Sequence, residues 1–185
     1  YKAVISPFGD FIRRYRWHAV LLLLLISTYR ISDIVLGVIS NVFYVDIGFT
    51  KAEVAAITKV FGVLMTLVGS VLGGVLVVRF GVMRILFLGA LLAAGTNLLF
   101  SLLASVGNNI ELLTLVISID NLSAGIATAA FVAYLSSLTN VAYSATQYAL
   151  FSSIMLLFPK FIGGFSGVMV DNLDYPNFFM LTALM

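Results

Sequence analysis

Five ionisable side chains stand inside runs of residues that are otherwise almost wholly apolar: Arg30, Asp33, Lys59, Asp120 and Lys160. A charge at the centre of a membrane helix costs about 2.5–3.5 kcal/mol on insertion scales, so such groups persist where they pair or face a water-filled cavity. Burial and a nearby cation pull a carboxylate's proton affinity in opposite directions. That suits Asp33 and Asp120 to carrying a proton, and Arg30 and Lys59 to tuning them or binding an anionic solute. The spacing groups them further. Arg30, Asp33, Gly37 and Asn41 share one helical stripe, and Arg30 and Asp33 are close enough in sequence to touch. Lys59 shares a side with Gly62, Thr66, Gly69 and Gly73. Thr114, Ser118, Asn121, Gly125 and Thr128 form a third stripe, with Asp120 about 100° round the helix from Asn121. Gln147 and Lys160 lie in a fourth polar set with Ser144, Tyr148 and Ser152. The expected proton-coupling residues are Asp33 and Asp120. The expected solute-binding residues are Arg30, Lys59, Asn121, Gln147 and Lys160. The opposing reading is structural: Arg30 with Asp33, and Lys59 or Lys160 with Asp120, as ion pairs that only fix helix packing.

The elements that must position these groups are membrane helices. Of 185 residues, 62% are hydrophobic and 10% charged, against about 25% charged in a soluble domain. Mean hydropathy is +1.13. A span needs roughly 20 apolar residues. Runs that fit cover about 17–43, 52–78, 82–106, 110–138 and 145–170, and a partial sixth covers 175–185. Barrel strands would alternate polar and apolar residues; Leu21 to Leu25 does not. The fold expected is therefore an all-α membrane protein, a bundle of transmembrane helices. The third span has Asn97 as its only strongly polar residue and reads as a lipid-facing support. Gly69-x-x-x-Gly73 and the set Gly163, Gly164 and Gly167 read as close helix contacts. Pro159 reads as a kink beside Lys160.

The connections are short. Thr50 and Glu53 have the spacing of a capping box. Gly81 turns the chain between the second and third spans, and Pro176 suits a helix's first turn. Residues 1–16 place Phe8, Phe11, Ile12 and Tyr15 at helical spacing beside Arg13, Arg14 and Arg16, the pattern of a helix in the lipid headgroups. Lys2, Arg13, Arg14, Arg16, Arg79 and Arg84 fall on one side of the bundle. The alternate loops carry only Lys51 among basic residues, so the chain's start is expected in the cytoplasm.

Several chemistries are excluded. The chain has no cysteine and one histidine, His18, which removes Cys- and His-built metal sites. No metal and no cofactor is expected. The basic residues form no patch beside stacking aromatics, so nucleic acid is not a partner. Gly164-Phe165-Ser166-Gly167 has the form of an intramembrane serine protease motif, but such a serine needs a base within reach and His18 lies at the far end of the first span. A lysine and an aspartate in the membrane also suggest a retinal protein; the helix order does not fit. The chain is not expected to be an enzyme.

Two sets of residues carry a family resemblance. Gly74-x-Leu76-x-Val78-Arg79-Phe80-Gly81-x-x-Arg84 resembles the cytoplasmic loop motif of the major facilitator superfamily, with Val78 at its acidic position. The stretch from Asp120-Asn121-Leu122 through Ala130-Phe131-Val132-Ala133 to Ser144-Ala145-Thr146-Gln147-Tyr148-Ala149-Leu150 resembles the AmpG-like family of muropeptide permeases, as do Tyr29 to Asp33 and Lys59 with Gly62. The resemblance implies the C-terminal six-helix half of the superfamily fold, with its last helix truncated and residues 1–16 as the end of the linker between halves. It implies a multi-pass protein of the bacterial inner (cytoplasmic) membrane. The activity implied is proton symport of anhydro-muropeptides, for peptidoglycan recycling and β-lactamase induction, by rocking against an N-terminal half. The partners implied are an amino-sugar peptide, protons, the bilayer and that half. The alternatives are a permease for another large polar solute, such as an acyl-coenzyme A ester, and a non-transporting membrane scaffold.

Overall fold

Without water, backbone groups must find partners within their own segment, which favours helices in so apolar a chain. The computed structural model describes residues 2–185, with side chains from Ser6 onward, and contains no strand among the described residues. Helix α1 (Lys2–Tyr15) is followed by α2 (His18–Thr28) and α3 (Ile31–Asp46). Helix α4 (Lys51–Ile57) runs through a π-helical turn, Thr58–Gly62, into α5 (Val63–Phe80). Then come α6 (Val82–Val106), α7 (Ile110–Leu138), a 3-10 turn at Val141–Tyr143, α8 (Ser144–Gly163) and α9 (Ser166–Ala183). Five stretches are long and apolar enough to cross a membrane: His18–Asp46, Lys51–Phe80, Val82–Val106, Ile110–Leu138 and Val141–Gly163.

Local chemistry sets the turns. Thr50 Oγ1 accepts from the Glu53 amide at 3.2 Å, and the Thr50 amide donates to the Glu53 carboxylate at 2.9 Å, which is the capping box the spacing predicts. Asn109 caps α7 by accepting from the Leu112 amide at 3.0 Å. Gly81 alone joins α5 to α6 at φ 88°, ψ 152°, a conformation that a Cβ strains.

Four features depart from the spans expected. The first span is two helices, broken at Tyr29–Arg30, where Arg30 takes φ −104°, ψ 10°. The fifth breaks at Gly164–Phe165, at the glycine pair and a few residues after Pro159. Helix α9 is itself divided at Asp174 (φ 61°, ψ 162°), with Pro176 in the first turn of the second piece. The third span is not a bare support. Gly89, Thr96, Asn97, Phe100, Ser101 and Leu103 are buried along α6, which packs between α7 and α9. Small and weakly polar residues give that face little contrast in an apolar sequence, so its direction was hidden. Helix α5 instead leaves Leu67, Val71 and Val75 exposed.

Two apolar cores form. One gathers Phe43, Phe49, Phe100, Leu103, Leu113 and Phe179. The other gathers Phe11, Ile26, Leu86, Phe131, Leu135 and Phe151. Helices α5 and α7 approach through glycines on both sides. A Cβ on Gly69 would lie 2.2 Å from the Leu122 carbonyl oxygen, one on Gly73 2.8 Å from Ile126 Cα, and one on Gly125 2.5 Å from the Thr66 carbonyl oxygen. Backbone cannot yield at such distances without the helices parting. Gly125→Val should therefore destabilise the bundle by about 3 kcal/mol or more, read as a lowered melting temperature of the detergent-solubilised protein. Gly74→Ala, which meets nothing within 4 Å, should leave it unchanged.

Candidate functional site

The break between α2 and α3 falls among the polar residues of the first span. Tyr29 is pinned there by its ring, stacked on Phe131 with centroids 4.9 Å apart. Its hydroxyl donates to the Leu86 carbonyl at 3.0 Å and occupies the space where a side chain on Gly89 would sit. Arg30 then stands at the N-cap of α3. Its Nε lies 3.2 Å from the Asp33 carboxylate, and Nη1 donates to Thr128 Oγ1 on α7 at 2.8 Å. One guanidinium thus ties the break to its own helix and to a neighbour.

These groups line a cavity of about 190 Å³ whose polar members are Arg30, Asp33, Ser40, Tyr44, Asn97 and Asp120. Asp120 comes from α7 and faces the Arg30–Asp33 pair across the space. It has no salt-bridge partner among the described residues. Asn97 donates to Ser32, whose hydroxyl donates to the Thr182 carbonyl at 2.9 Å. That chain ties α6, α3 and α9 together beside the cavity, and the Arg30–Thr128 bond adds α7. The cavity holds two carboxylates, one bound by arginine and one free of it, with a guanidinium between helices that separate chain segments carry.

The other residues singled out in the sequence lie elsewhere. Lys59 and Asn41 line a second, wider cavity of about 450 Å³ with Lys51, Val45, Val54, Ala55 and Thr58. Asn41 thus leaves the stripe of Arg30 and Asp33, which continues instead through Ser40 and Tyr44. Asn121 is not at either cavity; its Oδ1 accepts from Thr66 at 3.0 Å and its Nδ2 donates to the Ile117 carbonyl at 2.8 Å, under Gly62. Lys160 is exposed on α8 and lines neither space. Of the loop motif, Gly74 is in α5 and Gly81 makes the turn. Arg79 lies over the Phe80 ring with 5.5 Å from Cζ to the centroid, and Arg84 is exposed. Ser166 of the Gly-x-Ser-Gly sequence is buried and donates to the Val35 carbonyl at 3.2 Å.

Gln147 is fully buried at the opposite end of the bundle from Lys51, in a polar clasp that holds α1. Its Nε2 donates to the Pro7 carbonyl at 2.8 Å and to Asp10 at 3.1 Å, while its Oε1 accepts from the Asn140 amide at 2.7 Å. Asp10 also accepts from Asn140 Nδ2 at 3.2 Å and pairs with Arg14 at 3.2 Å. Beneath these bonds Phe11 meets Phe151 edge-on at 4.8 Å. Sequence reasoning missed Tyr44 and Asp10 as members of these clusters; it placed Thr128 on the polar stripe of α7 without its bond to Arg30. Tyr44 lies fourteen residues after Arg30, two heptads along the same stripe, and that was the available signal. Asp10 carried only its spacing to Arg14.

Two measurements check this geometry. Arg30→Gln and Asp33→Asn should each destabilise the purified protein, and the double variant by less than the sum, with a coupling of about 1–3 kcal/mol. Thermal unfolding of the four proteins gives that difference. In the clasp, Asn140's hydrogen bond, then those of Gln147 and Arg14 with Arg14's charge, outweigh desolvation and hold the Asp10 carboxyl below its ordinary 3.8. A lowered folded value means the docked state favours the carboxylate. Docking of α1 should be fully supported above the ordinary carboxylate range and weaken as pH falls through the lowered value. Amide exchange in residues 7–15 should rise on acidification, and Asp10→Ala should show the raised exchange at neutral pH.

Comparison with known proteins agrees with a transporter half. Residues 9–181 match the MFS_1 like family. The chain is 35% identical over 184 residues to "Putative transporter AmpG 4" of Rickettsia conorii, covering 100% of this chain and 44% of that protein. It is 31% identical over 182 residues to the anhydromuropeptide permease of Escherichia coli K12, covering 98% of this chain and 37% of that protein. The chain therefore spans less than half the length of the curated relatives it matches. A multi-pass helical bundle that matches along nearly its whole length belongs to the MFS_1 like family, and its architecture is that of a partial transporter of the major facilitator type.

Proposed function

We propose that the protein of which this chain is part is a proton-coupled permease that imports anhydro-muropeptides across the bacterial inner membrane by alternating access. The observation that carries the reading is the mid-bundle cavity, in which Asp120 faces Arg30 and Asp33 without a cation of its own. A scaffold would pair its charges off and close the space. The relative in Escherichia coli is named an anhydromuropeptide permease, and such solutes are polar, acidic amino-sugar peptides. Asp120 is the proton carrier in this reading. Arg30 is the switch, held by Asp33 when the site is empty and drawn toward an anionic group of the solute when it is filled. Asp33, released, joins Asp120 as a second carboxylate facing the same space, and repulsion between neighbouring carboxylates favours one shared proton. Solute and proton then cross together as this bundle rocks against the rest of the protein. Lys59 contributes charge to the solute path from its own cavity. Asn121 and Gln147 act through the helix positions they hold, Gln147 by anchoring α1 and α8.

A gradient of about one pH unit supports about tenfold accumulation per coupled proton, since each unit is worth about 1.36 kcal/mol. Vesicles holding the full-length protein should accumulate labelled anhydro-muropeptide to that extent. Asp120→Asn should reduce accumulation to the level found with the gradient collapsed, while solute exchange across the vesicle membrane persists. Full gradient-driven uptake by both Asp120→Asn and Asp33→Asn would remove the two carboxylates from the coupling role.

A further inference from the structure

The second cavity is built for an anion with an apolar body. Lys51 and Lys59 both line it, over a floor of Val45, Val54 and Ala55, with Asn41 at its side. Eight residues of regular helix would place the two lysines about 80° apart and about 12 Å along the axis. The wide π-helical turn at Thr58–Gly62 begins where the second lysine stands, and both side chains reach one space. Turns of this kind recur where a helix has been adjusted for a function.

The lysines are also left without acids. Glu53, the nearest carboxylate in sequence to Lys51, is committed to the capping box, accepting from the Thr50 amide at 2.9 Å and the Thr50 hydroxyl at 2.7 Å. Asp46 accepts from the Tyr175 hydroxyl. Neither Lys51 nor Lys59 forms a salt bridge among the described residues. Two ammonium groups that line one apolar-walled space with no acid beside them offer charge-assisted hydrogen bonds to an anionic ligand.

We infer that the cavity between the end of α3 and the α4–π turn is a carboxylate-binding subsite, distinct from the Arg30 cavity. There Lys51 and Lys59 hold a free carboxylate of an amphipathic solute while Val45, Val54 and Ala55 take its apolar part. The subsite lies at the end of the bundle opposite the arginine-bearing turn at Gly81. It flanks the same helix, α3, that carries Arg30 and Asp33. With import from that end, as the permease reading has it, the subsite receives the solute before the mid-bundle charges do. The identity of the solute rests on the permease reading; the two-lysine subsite rests on the cavity itself.

The test is equilibrium binding to the purified full-length protein, run beside uptake in vesicles. The probes are an anhydro-muropeptide with free peptide carboxylates and the same compound with those carboxylates amidated. Lys59→Gln and Lys51→Gln should each weaken binding of the acid probe about tenfold, the loss of one charge-assisted bond. Neither should alter the amidated probe's weaker binding, and Lys59→Arg should restore most of the loss. Both lysines are exposed, so melting temperatures should not move. Unchanged acid-probe binding in both variants, equal weakening for both probes, or no binding of the acid probe by the unaltered protein would overturn the subsite. Binding with the expected pattern but no gradient-driven uptake would instead remove the transport reading and leave the subsite standing.

Discussion

A guanidinium placed where a helix breaks between two apolar cores sets the terms for the rest of this bundle. Arg30 cannot be hydrated cheaply at that depth, so it takes the Asp33 carboxylate and the Thr128 hydroxyl. Those contacts fix α3 against α7. The division between the two cores falls at the same level on three helices: at residues 29–31 in the first span, between Leu92 and Leu99 on α6, and between Ile117 and Leu122 on α7. Arg30, Asn97 and Asp120 stand at those divisions. The polar belt is the seam between two packed bodies, and the cavity is what the seam leaves open.

A seam of that kind is a place where a bundle can move. Apolar packing on either side is dense and discriminates strongly between packed and unpacked states. The polar layer exchanges one set of hydrogen bonds and charges for another at less cost. The breaks at Tyr29–Arg30 and Gly164–Phe165 lie in the two spans that α1 is tied to, directly through the chain and through the Gln147 clasp. In contrast, the glycine faces of α5 and α7 lock backbone against backbone. The bundle so combines a rigid pair with two jointed spans.

The family assignment and the geometry answer different questions. The match over residues 9–181 establishes what kind of protein this is. It does not distinguish a residue that meets solute from one that holds helices together. Asn121 and Gln147 show the difference. Both are polar residues in spans, and both lie in the segment that resembles muropeptide permeases. Yet the hydrogen bonds of Asn121 are spent between α7 and the α5 side. Those of Gln147 are spent between α1, α8 and the turn at Asn140.

From the sequence alone came what composition and the shortest spacings along one helix decide. The excess of apolar residues requires membrane helices; the i, i+3 spacing of Arg30 and Asp33 makes their pair; Thr50 and Glu53 make their cap; Gly81 makes its turn. Each of these is a short-range consequence of covalent neighbours. What lies across from a helix was beyond that reach. An apolar sequence in an apolar solvent shows little contrast between buried and exposed faces, so neither the packed face of α6 nor the direction of Asp120 is legible in it. Only the packed bundle turned Asp120 toward Arg30, moved Asn41 and Lys59 to a second cavity with Lys51, and buried Gln147 under α1. Those arrangements depend on how helices distant in the chain rest against each other, and close backbone contact at Gly69, Gly73 and Gly125 decided that.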